Sequence, residues 1–327
     1  MLALVAQPGG QAMTVSAGRI TLWGVEVFVA TADERSLTAA AQRLGTSAAT
    51  ISQQLTNLET AIGTTLLNRQ ERPVTLTPAG MMFLRRANAI LNEADQARAE
   101  LAMADLSRLT RFRLGMIEDF DADVTPRLLS SLAEAMPSCQ FLLETGASHR
   151  LFDALEARAL DLIVAADMGA VGAGMVVHPL LEEPFVAAIP AGAGAGATDT
   201  LPLIQYTTRH HMGRQIAAHL ARAARHPSHR FELDSYHAIM AMVADGAGWT
   251  ILTPLGWLSA QRFHPGVQVV PLPLPPLSRT ISLTARAGVL GEMPANVAAQ
   301  LKALVQDLIV TPTVTALPWL SAAIKVL

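Results

Sequence analysis

Two apolar runs at helical spacing, each ended by a glycine, constrain this chain more than any other feature. Ser36 opens the first, the alanine-rich Leu37 to Leu44 carries it, and Gly45 closes it. A serine side chain satisfies free N–H groups at a helix start, and glycine takes the left-handed conformation at a helix end without steric cost. Thr46 or Ser47 then caps a second run, whose Ile51, Leu55, Leu58 and Ile62 form one stripe before Gly63. Leu22, Val25, Val29 and Ala32 mark a short helix ahead of both. Helix, tight turn, helix is the expected unit, an arrangement that places its second helix in a DNA major groove.

Past Gly63, Leu66 to Leu76 carries Arg69, Arg72 and Pro73 between apolar ends and predicts a short hairpin wing. Thr77-Pro78 is a helix start, since proline suits the first helical position. Phe83, Ala87, Ile90, Ala94, Ala97, Leu101 and Ala104 then recur at helical intervals. A solitary helix of that length cannot cover its own stripe, so pairing with a second copy is expected. Beyond it, strands and helices alternate: Phe112 to Ile117, Thr125 to Ala135, Cys139 to Glu144, Ser148 to Ala157 and Leu160 to Ala165 read as βαβαβ with a parallel sheet. A similar unit occupies about Leu201 to Leu252, and the extended segments Glu183 to Pro190 and Ser278 to Arg286 join the two. Two crossings predict hinged lobes, with a closing helix over Val297 to Ile309.

Apolar residues make up 51% of the chain and charged residues 16%, a globular balance. The net charge of -3 places the burden of any nucleic-acid contact on local arginines. Lys302 and Lys325 are the only lysines. Cys139 is the only cysteine, which excludes an internal disulfide and a cysteine-based zinc site. Residues 1–19 lack a signal-peptide core, and Leu308 to Ile324 is broken by Pro312 and Pro318, so a cytoplasmic chain without a membrane span is expected.

Phe28, the alanines between Leu37 and Leu44, Ser47, Ser52, Leu58-Glu59, Gly63, Leu66, Arg69, Leu76-Thr77 and Ala79-Gly80 together resemble the N-terminal signature of LysR-type transcriptional regulators. Asp161-Leu162, the strand Glu182 to Pro190 and the turn Val243 to Gly248 resemble that family's sensor domain. The resemblance spans about 20–310 and implies an α/β chain: an all-α winged helix-turn-helix, then a two-lobed periplasmic-binding-protein-like sensor, assembled as a dimer or tetramer. Implied partners are double-stranded DNA, a small-molecule effector, a second copy through the linker helix, and RNA polymerase. The expected boundaries are 1–19 (extension, with Met13 an alternative initiator), 20–77 (DNA-binding domain), 78–107 (linker helix), 108–310 (sensor) and 311–327 (extension). Within the sensor, lobe one takes about 108–185 and 279–310, and lobe two about 186–278. Ala48, Ala49, Gln53 and Leu67 depart from residues common in the family, so operator preference does not transfer.

Ser47, Thr50, Gln53 and Gln54 are the polar residues at the start of the reading helix; glutamine pairs in bidentate fashion with adenine, and Ser47 is equally a plain helix cap. Arg35, Arg69 and Arg72 are the expected phosphate anchors. In two-lobed α/β domains ligands bind at strand C-termini between the lobes. The turns at those ends bring forward Glu118, Asp119, Phe120, Ser148, His149, Tyr206, Thr207, Arg209, His211 and Tyr236. Glu118 to Asp123 holds four carboxylates in six residues, which read as solvated acids at a helix start, as partners of Arg209 or Arg214 across the cleft, or as a site that favours a neutral or cationic effector. Six histidines between His210 and His237 lack a diagnostic ligand spacing, and neither a metal nor a cofactor is expected. A nucleotide-dependent enzyme would need the Gly192 to Ala197 loop to lead into a helix, which it does not predict. A transport-type solute-binding protein would account for the sensor half but not for residues 20–107.

Overall fold

The computed structural model describes residues 19–102, 109–169, 172, 174–194 and 196–327, and the chain divides into two units, Met1–Asp95 and Gln96–Leu327. The expectations for residues 1–18, 103–108, 170, 171, 173 and 195 lie outside the described residues.

In the first unit α1 (Leu22–Glu34), α2 (Leu37–Arg43) and α3 (Ala48–Ile62) form the helical triad. Each starts on a hydroxyl: Thr21, Ser36 and Ser47 accept from the backbone N–H groups of Gly24, Ala39 and Thr50. Gly45 and Gly63 take the left-handed conformation, with φ of 63° and 80°. The wing is an antiparallel pair, β1 (Leu67–Asn68) with β2 (Thr75–Leu76). Helix α4 (Pro78–Ala102) follows, its start capped by Thr77 Oγ1 accepting from Gly80 N at 2.9 Å. Gly80 is required there, because a Cβ would lie 2.0 Å from the Leu66 carbonyl oxygen. Val25, Phe28, Ile51, Leu55, Leu58 and Leu67 make the core, and the Phe83 ring of α4 lies 5.3 Å from that of Phe28. Burying these side chains stabilises the unit by about 1.5–3 kcal/mol each.

The second unit opens with β3 (Arg111–Met116), α5 (Val124–Ala135), β4 (Gln140–Thr145), α6 (Ser148–Glu156), β5 (Leu162–Ala166) and β6 (Met175–Pro184). Its second lobe holds β7 (Val186–Pro190), α7 (Ala197–Thr200), β8 (Leu203–Tyr206), α8 (His211–Arg222), β9 (His229–Leu233), α9 (Tyr236–Ala244), β10 (Thr250–Leu252), α10 (Pro254–Ser259) and β11 (Val267–Pro271). The chain returns through β12 (Ser278–Arg286) to α11 (Met293–Val305), α12 (Thr311–Ala316) and β13 (Lys325–Val326). One sheet has the order β13-β6-β12-β5-β3-β4, with β3, β4 and β5 parallel. The second lobe differs from the expected copy of the first. Its parallel pair β8–β9 stands beside an antiparallel sheet β10-β7-β11, in which β7 is central.

Two further readings need correction. The glycine-rich loop does lead into helix, though only the single turn of α7. Residues 311–327, expected as an extension, are part of the sensor fold: Leu320 and Ile324 are buried, and β13 pairs Lys325 with Glu182 and Val326 with Leu181 on β6. Along β6 and β12, Ile281 faces Leu181 and Ser282 faces Pro179, so Leu180 is the extra residue of a β-bulge. Its carbonyl accepts from Leu327 N at 3.1 Å. No described helix is long and apolar enough to cross a membrane.

Candidate nucleic-acid interface and effector cleft

Helix α3 turns Ile51, Leu55 and Leu58 inward, which puts Gln53 outward and exposed. Gln53 Nε2 donates to Asn57 Oδ1 at 2.9 Å one turn along, so its amide lies on the solvent face. Ser47 is the helix cap: its Oγ accepts from Thr50 N at 3.1 Å and lies 2.9 Å from Thr50 Oγ1, with both residues at the helix start. Gln54, one turn after Thr50, lines a hollow with Arg19, Thr21, Asn57, Leu58 and Thr60.

The arginines divide. Arg35 and Arg72 are exposed. Arg35 ends α1 at φ 50°, and its carbonyl accepts from Val74 N in the wing. Arg69 is instead engaged inside the unit. Its Nη1 donates to Ser52 O at 3.3 Å and Thr56 Oγ1 at 3.0 Å, and its Nη2 pairs with Glu59. Glu59 also accepts from the N–H groups of Leu66 and Leu67, so this cluster fixes the wing against the reading helix.

In the second unit a cleft of about 570 Å³, open mouth included, lies between the lobes. Of the residues predicted for it, Glu118, Asp119, Ser148, Tyr206, His211 and Tyr236 line it. Four do not. Phe120 is fully buried in the apolar core. Thr207 is buried and its Oγ1 donates to Glu232 at 2.8 Å. Arg209 is exposed, 3.9 Å from Asp234. His149 is absent from the lining, and its ring centroid is 5.7 Å from that of His210. The chain reverses too tightly after β8 for every residue of Tyr206 to His211 to face one way.

The centre of the cleft is a residue the turns could not indicate. Arg279 on the second crossing stands in register opposite Glu183 on the first. Its Nε donates to Glu183 Oε1 at 2.7 Å and its Nη2 to Asp119 Oδ2 at 2.7 Å and Thr253 Oγ1 at 3.2 Å. Glu183 Oε2 accepts from Leu255 N at 3.1 Å. Asp119 thus pairs with Arg279, and not with Arg209 or Arg214; Arg214 donates to the carbonyls of Thr208 and Arg209. One guanidinium therefore joins the turn after β3, both crossings, and the start of α10. The sequence signal was faint, an arginine on one crossing and the Glu182-Glu183 pair on the other, and the pairing spans 96 positions. Met212, Gln215, His210 and Ala166 also line the cleft without having been predicted.

Burial raises the Glu118 pKa, and Asp119, Asp121 and Asp234 add to the rise. Burial likewise raises Glu183, against the opposing pull of Arg279. His210 and His211 are lowered, first by burial, then by His149 and by Arg214 respectively. These are the shifts of a partly dehydrated cleft, in which burial disfavours the charged form of acid and imidazole alike. Among the described residues no group of three His, Cys, Asp or Glu is placed to hold a metal ion.

Comparison with known proteins fits this geometry. The family described as "Bacterial regulatory helix-turn-helix protein, lysR family" matches residues 22–81, and "LysR substrate binding domain" matches residues 107–306. A probable hydrogen peroxide-inducible genes activator of Mycobacterium xenopi is 36% identical over 172 residues, 53% of this chain and 90% of that protein. The DNA-binding transcriptional dual regulator OxyR of Escherichia coli K12 is 26% identical over 272 residues, 81% of this chain and 88% of that one. Among solved structures, full-length OxyR C199D from Pseudomonas aeruginosa superposes with a TM-score of 0.65 at 26% identity, covering 87% of this chain and 95% of its own. CbnR, a LysR family regulator, superposes at 0.61 with 18% identity over 87% of this chain and 99% of its own, a likeness of fold. With both of its units matched in order, the chain belongs to the LysR family of DNA-binding transcriptional regulators, a helix-turn-helix joined to an effector-binding domain.

Proposed function

We propose that this regulator reads duplex DNA with Ser47, Thr50 and Gln53 of α3, anchors phosphates with Arg35 and Arg72, and changes state when a small molecule occupies the interlobe cleft. The observation that carries this reading is Arg279, one guanidinium bound to groups from both lobes and both crossings, so that anything altering its partners acts on the hinge. Arg69 acts from behind the interface, holding the wing. Gln54, one turn after Thr50 on α3, stands as a secondary contact. Self-association runs along α4, where Met81, Met82 and Ile90 are exposed. The chain works in the cytoplasm, beside its DNA, as a regulator and not as an enzyme, and the relatives it resembles are transcriptional regulators too.

The effector is neutral or cationic, because Glu118 lines the cleft without an ion pair among the described residues while Asp119 and Glu183 are held by Arg279. The Mycobacterium xenopi relative is described as a probable activator of hydrogen peroxide-inducible genes, and a neutral oxidant satisfies the same charge requirement. With one cysteine, this chain cannot answer peroxide through an internal disulfide. The test is a fluorescence anisotropy titration of the full chain with the promoter DNA beside its own gene, together with thermal-shift screening of amines against organic acids. Saturable binding and stabilisation by amines are expected. Absence of DNA binding overturns the function, and stabilisation by acids alone overturns the charge assignment.

A further inference from the structure

Met212, the second residue of α8, is 7% exposed and its side chain lines the cleft. Its sulfur has two strong donors directed at it: the Tyr236 hydroxyl at 2.9 Å and Arg279 Nη1 at 3.7 Å. A thioether is a weak acceptor, so a phenol and a guanidinium N–H that converge on one are matched below their capacity. The cleft floor is therefore arranged around an oxygen that the resting side chain does not provide. Oxidation of the sulfur would supply that oxygen at the point where both donors already meet.

We propose that Met212 is a redox modification site, at which a small peroxide entering the cleft converts the thioether to a sulfoxide and thereby switches the regulator. In the step, a sulfur lone pair attacks one peroxide oxygen and the O–O bond breaks. The leaving hydroxide takes the proton from the transferred S–OH group, giving sulfoxide and water. Sulfur loses two electrons and the peroxide gains them, and no further reductant or oxidant enters. The product changes a flexible apolar group into a polar one with a strong acceptor. Tyr236 and Arg279 then bind that oxygen. Because Arg279 also holds Asp119, Glu183 and Thr253, a change at its Nη1 reaches both lobes. The proposal rests on the cleft being the signal site.

Cys139 is no competitor within the cleft, since it precedes β4 and does not line the cavity. Burial, and secondarily Asp161, pushes its thiol pKa up, which lowers the reactive thiolate. Of the thirteen methionines, Met81, Met82 and Met168 are more exposed and will also oxidise, but none shares this pair of donors.

The test treats full-length protein with hydrogen peroxide, maps added oxygen by peptide mass spectrometry, and measures affinity for the promoter DNA before and after. Each variant's response is the ratio to its own untreated affinity. The expected results are one added oxygen on Met212, an affinity change of about 5-fold or more, and reversal by methionine sulfoxide reductase. Met212→Leu should abolish the response, and Cys139→Ser should keep it. Met212→Gln, whose amide oxygen imitates the sulfoxide, should reproduce the oxidised affinity without peroxide. An unmodified Met212 beside oxidised Met81 and Met82, a full response in Met212→Leu, or a Met212→Gln protein that behaves as untreated wild type would each overturn the proposal. Untreated protein that fails to bind the DNA would instead overturn the functional reading beneath it.

Discussion

Replacing Arg279 with leucine removes the one cation that compensates two carboxylates. Glu183 is fully buried and would keep only the Leu255 N–H. Asp119, whose side chain is 7% exposed, would lose its ion pair. Removing one partner of a buried pair costs about 3–5 kcal/mol, chiefly because the other charge stays behind without compensation. For a unit of this size each kcal/mol corresponds to about 2–4 °C, so melting should fall by roughly 6–20 °C. The assay is tryptophan fluorescence in a Trp23→Phe background, which leaves Trp249, Trp257 and Trp319 reporting from the second unit. The sign with pH is fixed. Glu183 is an acid whose folded pKa is already raised, and loss of Arg279 raises it further. The penalty is therefore full above that folded pKa and is relieved as pH falls through it, when the carboxyl takes a proton. The same relief should follow from Glu183→Gln added to Arg279→Leu. A loss below about 1 kcal/mol, or a deficit unchanged between neutral and acid pH, would refute the argument that Glu183 is ionised against Arg279.

Other consequences can be measured directly. Arg72→Ala should flatten the slope of log affinity against log salt by about 0.9, the share of one phosphate. Arg69→Ala should flatten it less while weakening every duplex, because its guanidinium is committed to Glu59, Ser52 and Thr56; the opposite ranking would contradict that division. Gln53→Ala should lose about 1–3 kcal/mol of discrimination at one base pair, and equal losses on operator and random DNA would argue against base contact. His210 and His211 sit below the ordinary value of 6.5, so the folded state binds fewer protons than the unfolded one. Stability should fall as pH drops from 6.5 through their folded values, and an asparagine at both positions should flatten that fall. Leu320→Ala should destabilise the second unit by about 2–5 kcal/mol; a silent substitution would mean that the C-terminal segment adds nothing to the core.

Local signals proved readable and distant ones did not. Ser36, Ser47, Gly45, Gly63 and Thr77-Pro78 each act on hydrogen bonds within a few residues, so residue type alone indicates their conformation. Apolar spacing in α3 likewise determined which side of the helix faces outward. The cleft was half legible. Strand ends pointed to Glu118, Asp119, Ser148, Tyr206, His211 and Tyr236, whereas Phe120 and Thr207 occupy the same turns but face the interior. Which way a turn residue points depends on packing that sequence spacing does not encode. Arg279 and Glu183 are brought together only by strand register, and β13 pairs with β6 across most of the second unit's sequence. Neither association has a local signature.

The paired crossings carry a mechanical implication. From Met175–Arg286 to Pro184–Ser278 the strands β6 and β12 are laddered to each other, so the lobes are not strung on two independent tethers. A laddered ribbon resists separation of its strands, and β13 and β5 flank this one within the six-stranded sheet, so bending falls beyond its end, where Phe185 N donates to the Leu277 carbonyl and the chain passes to the second lobe. Motion between the lobes should then follow a single axis, with amide hydrogens of both strands exchanging slowly and as one block. A signal received in the cleft would leave it as rotation of a stiff lever.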